Sequence, residues 1–341
     1  HDTVRRQRQM CIRDRPEDTQ AWFLDSVHSV LQVRLEAAGM SCFDGTALGR
    51  EDLMEQAAKT PIHGLVVRSR LTLDRELLDQ LPHLKWIARS GSGLDNIDVE
   101  AAHQKGIALY SSPEGNRDAV GEHALGMLLN TLHRLSSGDA SVRAREWDRE
   151  GHRGRELKHL TVGIIGYGHM GSAFAQRLAG FGCRVLAYDK YKDGWGEQPH
   201  VKAPLPHVVP VGANVLAQEA DVVSLHVPWT SETKGMVDDN WLKRWHKPIV
   251  LLNTARGAIV QTEALLRALD DGRVSHACLD VLEFEGRSLE TLEGLQDPEK
   301  KQAFEELLKH PNVMMTPHVA GWTHESWSQL SEVLADKILV S

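Results

Sequence analysis

The chain has 341 residues, 41% apolar and 25% charged, with a formal net charge of −8. That length accommodates two domains of ordinary size whose cores need no covalent staples. The acidic balance and the lack of a long Lys/Arg run argue against nucleic acid as a partner. No apolar stretch approaches the ~18 residues that span a bilayer, and the start lacks the apolar segment of a secretion signal. Cysteines at 11, 42, 183 and 278 show neither CxxC nor zinc-like spacing, so they read as reduced thiols of a cytoplasmic protein with no metal site.

Residues 1–15 are basic and without periodicity, and Met10-Cys11-Ile12-Arg13-Asp14 resembles a translated transposon end; this leader is read as non-native or disordered. A strand is predicted over residues 21–25 and a helix over 30–38, stopped by Gly39. Residues 64–67 form the next strand and 71–81 a helix ended by Pro82. Residues 86–88 and 107–110 are two more strands. A long apolar helix follows over 120–135, with Gly121, Glu122 and His123 near its start, and then an Arg- and Glu-rich stretch over 136–158. A second strand–helix series runs from Leu160 to about Asn312. Alternation at this rhythm predicts parallel sheets covered by helices, hence two α/β domains. Residues 285–309 are acidic and read as a solvated helical insertion.

The strand Thr161-Val162-Gly163-Ile164-Ile165 runs directly into Gly166-Tyr167-Gly168-His169-Met170-Gly171, after which a helix continues to Leu178. This is a G-x-G-x-x-G motif in the context it requires. Gly166 permits the tight turn, Gly168 lets the backbone approach a pyrophosphate, and Gly171 allows close helix–strand packing. The phosphates would sit on the helix N-terminus, including His169 and Met170. The next strand, residues 184–188, ends at Asp189, an acid that accepts from the ribose hydroxyls and repels the extra phosphate of NADP. The cofactor expected is NAD.

Further motifs are His226-Val227-Pro228, Asn253-Thr254-Ala255-Arg256-Gly257, Asp280-Val281-Leu282-Glu283-Phe284-Glu285 and Thr316-Pro317-His318-Val319-Ala320-Gly321. In this order and spacing they resemble the D-isomer-specific 2-hydroxyacid dehydrogenase family, closest to its phosphoglycerate dehydrogenase branch. The resemblance implies two Rossmann-like doubly wound domains: residues 16–112 with 313–341 binding substrate, and 113–312 binding NAD. It implies a homodimer whose crossover arm falls within residues 136–158.

Reducing a 2-keto acid needs a cation for the carboxylate, an acid for the ketone oxygen, and a hydride. Arg256 follows a buried strand, where its planar fork suits a carboxylate. His318 fits the acid–base, since imidazole titrates near working pH. Glu285 would orient it, with Glu283 as the competing candidate; Gly286 stands where the family often has Pro. The resemblance gives Asp280 the nicotinamide carboxamide and puts His226, Val227, Pro228, Thr254, Ala255 and Gly321 along the cofactor. It makes residues 89–98, with Arg89, Ser90, Gly91 and Ser92, the substrate loop, and Arg68 and Arg89 the ligands of a phosphate. His63 and Arg70 are weaker sources of charge.

The expected function is an NAD-dependent D-2-hydroxyacid dehydrogenase acting on 3-phosphoglycerate and 3-phosphohydroxypyruvate, with hydroxypyruvate, glyoxylate or D-lactate chemistry as the alternative. Formate dehydrogenase is disfavoured, because it has Gln where Glu285 stands. An NAD-sensing corepressor on the same scaffold is the alternative of another class, separable by turnover. A C-terminal serine-sensing domain is not expected. Trp322 after Gly321 departs from familiar members and would reshape the pocket.

Overall fold

The computed structural model describes residues 19–195, 203–286 and 291–340. The leader at residues 1–15, with Cys11, lies outside the described residues. The chain opens with β1 (Gln20–Phe23), α1 (Val30–Ala37), β2 (Ser41–Asp44), α2 (Arg50–Lys59), β3 (Gly64–Val67), α3 (Arg75–Asp79), β4 (Trp86–Arg89), α4 (Val99–Gln104) and β5 (Ala108–Ser111). There follow α5 (Arg117–His133), α6 (Leu135–Arg143), β6 (Thr161–Ile165), α7 (His169–Leu178), β7 (Arg184–Tyr188), β8 (Val208–Pro210), α8 (Ala213–Glu219) and β9 (Val222–Leu225). The remainder comprises α9 (Asp239–Leu242), β10 (Ile249–Asn253), α10 (Thr262–Asp270), β11 (Val274–Leu279), α11 (Pro298–Lys309), β12 (Val313–Met315) and α12 (His324–Val340).

These elements form two compact units, one from residues up to Asn116 plus those from His324, the other Arg117–Thr323. In the first unit the described strands make a parallel sheet in the order β2-β1-β3-β4-β5. Successive residues of a strand face opposite sides. Accordingly Trp22 and Leu24 pack with Leu53, Leu77 and Ala101 on one face. Ala21 and Phe23 pack on the other with Leu31, Leu35 and, from the chain's end, Leu334 and Ile338 of α12. The order turns back between β1 and β3, and in open α/β sheets ligands bind beyond the carboxyl ends of strands at such a point.

In the second unit the order is β12-β11-β10-β9-β6-β7-β8, again parallel. All of Ile249–Asn253 is buried, which is why β10 reads as an unbroken apolar run rather than an alternating one. Ile249 and Leu251 serve the core on one face, Val250 and Leu252 that on the other. The switch point lies between β6 and β9.

Several expectations are corrected. Residues 71–81 are not one helix: Leu73 pairs with Ile97, and the Asp74 carboxylate accepts from Leu77 N at 3.0 Å, so α3 begins only at Arg75. Residues 313–323 belong to the second unit rather than to the substrate domain, because β12 hydrogen-bonds to β11. The acidic stretch is not merely solvated: α11 buries Ala303 and Leu307, and Phe304 meets Phe284 edge-on at 5.7 Å; residues 287–290 lie outside the described residues. The edge strand β2 escaped the sequence reading because it buries no residue fully.

Candidate active site

The second unit places the motif residues in sheet order. Gly166 follows β6, His226 follows β9, Arg256 follows β10, Asp280 and Glu285 follow β11, and His318 follows β12. All these strands are parallel, so their carboxyl ends, and the side chains beyond them, share one edge.

At the switch point Gly166 has φ +89 and its Cα faces the chain after β9: a Cβ there would lie 2.7 Å from the His226 carbonyl oxygen. A Cβ on Gly171 would lie 2.0 Å from the Gly166 carbonyl oxygen. Both positions therefore require glycine. Around Gly168 the space is open, with nothing within 4 Å of a Cβ position. His169 begins α7, whose first amides lack intrahelical partners and favour an anion. Asp189 accepts from Tyr167 N at 2.8 Å and Tyr191 N at 3.0 Å, tying the loop to β7. A carboxylate has about four lone-pair sites, so capacity remains for ribose hydroxyls. The Thr254 hydroxyl is buried without a hydrogen-bond partner among the described residues. An open glycine cradle, a helix N-terminus and an orphaned buried hydroxyl fit a dinucleotide.

His226 differs from the expectation in detail. Its Nε2 lies 2.8 Å from Ser224 Oγ and its ring packs 5.5 Å from Phe174. Burial pushes the imidazole down to about 4, so it is neutral at working pH. It braces the floor of the glycine turn through its backbone. Val227 packs against the core, and Pro228 is exposed, its carbonyl accepting from Thr233 Oγ1 at 2.6 Å.

His318 Nδ1 lies 2.7 Å from Glu285 Oε2, and Glu285 Oε1 accepts from Leu282 N at 2.6 Å. The two candidate acids separate cleanly: Glu283 Oε2 accepts from Thr262 N at 2.8 Å at the start of α10. His318 has φ 54, rare for a non-glycine residue. Its amide donates to the Asp280 carbonyl at 2.8 Å. The Asp280 carboxylate, 1% exposed, accepts from Thr316 Oγ1 at 2.5 Å and from Val319 N and Ala320 N at 2.9 Å. Asp280 thus fastens the loop that carries His318 and Gly321, a task the sequence reading did not give it.

Arg256 stands beyond β10, its Nη1 donating to the Ala255 carbonyl at 2.7 Å. Asn253, fully buried, donates from Nδ2 to the Arg256 carbonyl at 2.9 Å and accepts from Ala255 N at 3.1 Å. It shapes the turn that presents Thr254, Ala255 and Arg256, and the sequence reading missed this role. An amide side chain ending an otherwise apolar strand was the available signal.

In the first unit Arg68 follows β3 and Arg89 ends β4, with Val67 and Arg89 paired across the two strands. Asp25, beyond β1, accepts from Arg68 N at 2.6 Å, and the Arg68 guanidinium lies 5.3 Å over the Trp327 ring. Arg89 lies across the loop, since a Cβ on Gly91 would be 1.6 Å from its Nη1. Ser90 N donates to the Val67 carbonyl at 2.8 Å, Gly91 N to Ser112 Oγ at 3.2 Å, and Ser92 Oγ to Asn116 Oδ1 at 2.8 Å. Arg70 bonds the Leu24 and Leu48 carbonyls, and His63 accepts from Gln20 N at 3.1 Å.

A family model described as D-isomer specific 2-hydroxyacid dehydrogenase, NAD binding domain, matches residues 125–320. The chain belongs to this family of NAD-dependent oxidoreductases, and NAD is its cofactor. It is 34% identical over 295 residues to a D-3-phosphoglycerate dehydrogenase of Archaeoglobus fulgidus, covering 86% of this chain but 52% of that one. The chain therefore spans about half the length of that relative. It is 32% identical to a hydroxypyruvate reductase of Thermotoga maritima, covering 85% of this chain and 88% of that one. A D-lactate dehydrogenase of Aquifex aeolicus, solved with NAD and lactic acid, superposes with TM-score 0.76 at 29% identity, over 94% of this chain and 95% of that one.

Proposed function

We propose that the protein interconverts 3-phosphoglycerate and 3-phosphohydroxypyruvate, the first unit binding substrate and the second binding NAD and carrying the chemistry. The observation that carries the dehydrogenase reading is the pair of His318 Nδ1 and Glu285 Oε2 at 2.7 Å. With Nδ1 held, Nε2 is the ring nitrogen left to serve the substrate oxygen. In reduction it gives a proton to the ketone oxygen, and in oxidation it takes the hydroxyl proton. Glu285 fixes the orientation of the ring, as carboxylates do for catalytic histidines. Arg256 holds the substrate carboxylate through paired N–H donors and polarises the neighbouring carbonyl. The Gly166–Gly171 loop and Asp189 hold the cofactor, which when bound supplies or accepts the hydride.

The phosphate preference is supported by Arg68 and Arg89, at the carboxyl ends of neighbouring parallel strands beside the switch point. Two guanidinium groups there suit a dianion. A homodimer through the arm after α5 is supported by Leu135, Val142 and Trp147, which are large, apolar and exposed. Among the described residues no helix is long and apolar enough to cross a membrane.

The test is NADH oxidation by the purified protein with 3-phosphohydroxypyruvate and hydroxypyruvate side by side. Preference for the phosphorylated acid is expected, falling roughly tenfold or more in Arg68→Ala and Arg89→Ala, since hydrogen bonds to charged groups contribute ~1.5–3 kcal/mol. Equal or better turnover of hydroxypyruvate would assign the protein to unphosphorylated 2-keto acids. Absence of turnover on either acid, with NADH still bound, would favour a cofactor-sensing role.

A further inference from the structure

His123 lies on α5, far along the chain from the loop that carries His318. Its Nε2 is nevertheless 2.9 Å from Thr316 Oγ1 and 3.5 Å from Asp280 Oδ1. A threonine hydroxyl has one proton to give. Thr316 is placed to spend it on Asp280 Oδ1, at 2.5 Å. Toward His123 the same oxygen acts as acceptor, so the His123 Nε2 carries the hydrogen. The Asp280 carboxylate then receives Val319 N and Ala320 N, and its carbonyl receives His318 N. Donors thus converge on Asp280 from two sides, from α5 through Thr316 and from the backbone amides of residues 318–320. A residue in the left-handed region persists there only where its surroundings over-determine it, and His318 has φ 54.

We infer that His123 and Thr316 are positioning residues for His318, acting through Asp280 to hold the backbone of the acid–base loop. Neither touches the reacting atoms in this scheme. The inference rests on the reading of His318 as acid–base. It adds a function for a helix residue that the cofactor and substrate motifs do not contain. Small displacements of a reacting group are costly, a misplacement of about 1 Å being worth up to ~100-fold in rate.

The experiment compares His123→Leu, His123→Gln and Thr316→Val with the unaltered enzyme. His123→Leu and Thr316→Val should each lower kcat ~10-fold, with KM for the keto acid and the NADH dissociation constant unchanged. His123→Gln, whose amide nitrogen reaches the Nε2 position, should restore kcat to within about threefold. The double variant His123→Leu/Thr316→Val should be no slower than the worse single, because both act through one chain of bonds. Unchanged kcat in His123→Leu, or losses that multiply in the double variant, would overturn the inference. So would a loss confined to NADH binding.

A readout independent of turnover is amide hydrogen exchange at Val319 and Ala320, expected to quicken about tenfold in Thr316→Val. Exchange unchanged in Thr316→Val would sink the clamp. Faster exchange in a protein that reduces no 2-keto acid would instead retire the acid–base reading and leave the clamp intact.

Discussion

The Nδ1 atom of His318 and the Oε2 atom of Glu285 are 2.7 Å apart although 33 positions separate them in the chain. The contact exists because β11 and β12 are adjacent and parallel, so the segments beyond them emerge side by side. Replacing His318 with Asn, which tolerates left-handed backbone, should lower kcat by at least ~100-fold while leaving the NADH dissociation constant unchanged. Glu285→Gln should cost ~10-fold, since an amide oxygen still orients Nδ1–H but brings no charge. Steady-state turnover and fluorescence titration with NADH read both effects. Undiminished turnover in the His318 variant would remove it from the mechanism.

The close approach of Gly171 to Gly166 gives a second prediction. A methyl group at Gly171 would meet the Gly166 carbonyl oxygen at 2.0 Å, so the turn or α7 must move. Gly171→Ala should raise the NADH dissociation constant at least ~10-fold and lower stability by roughly 2 kcal/mol. Titration and denaturant unfolding measure the two quantities; a variant normal in both would mean that the turn is not held as described.

A third concerns pH. His226 titrates near 6.5 when solvated, whereas burial in the fold lowers it to about 4. Between those values the unfolded chain binds a proton that the folded chain refuses. The stability is therefore complete above pH 6.5 and declines as pH falls toward 4, by up to ~3 kcal/mol from this residue. His226→Gln should flatten that part of the profile while keeping a hydrogen bond to Ser224. Equal slopes for variant and parent in urea unfolding at pH 4.5 and 7 would show that His226 does not contribute.

Asn253→Ala removes both bonds that shape the Arg256 turn. It should raise KM for the keto acid ~10-fold, and stability should fall by ~1–3 kcal/mol, because a partly buried carbonyl and a buried amide lose their partner. A KM unchanged beside lowered stability would confine Asn253 to folding.

The glycine loop was legible in the sequence because its requirements are local: a turn, an open approach and a helix start within Gly166–Gly171. Arg256, Glu285 and His318 were legible as candidates through the order of their motifs: Arg256 follows an apolar strand, Glu285 stands at a set spacing from Asp280, and His318 lies between Pro317 and the small residues Ala320 and Gly321. Bonds that cross elements were not. Nothing near Asp280 in sequence signals that it fastens residues 316–320. Nothing near His123 signals Thr316. The separate task of Glu283 needed the start of α10, which only folding brings to it. The helical span over residues 71–81 failed for a similar reason, since the pairing of Leu73 with Ile97 overrode the apolar spacing.

The left-handed backbone at His318 sets stability and activity against each other at one position. Glycine adopts that conformation without the steric penalty a side chain incurs, so a fold optimised only for persistence would favour it there. The imidazole proposed to perform the proton transfer is incompatible with that choice. On the proposed assignment, efforts to harden the protein should leave this residue alone, and a survey for stabilising substitutions that selects glycine at 318 is expected to select inactive protein.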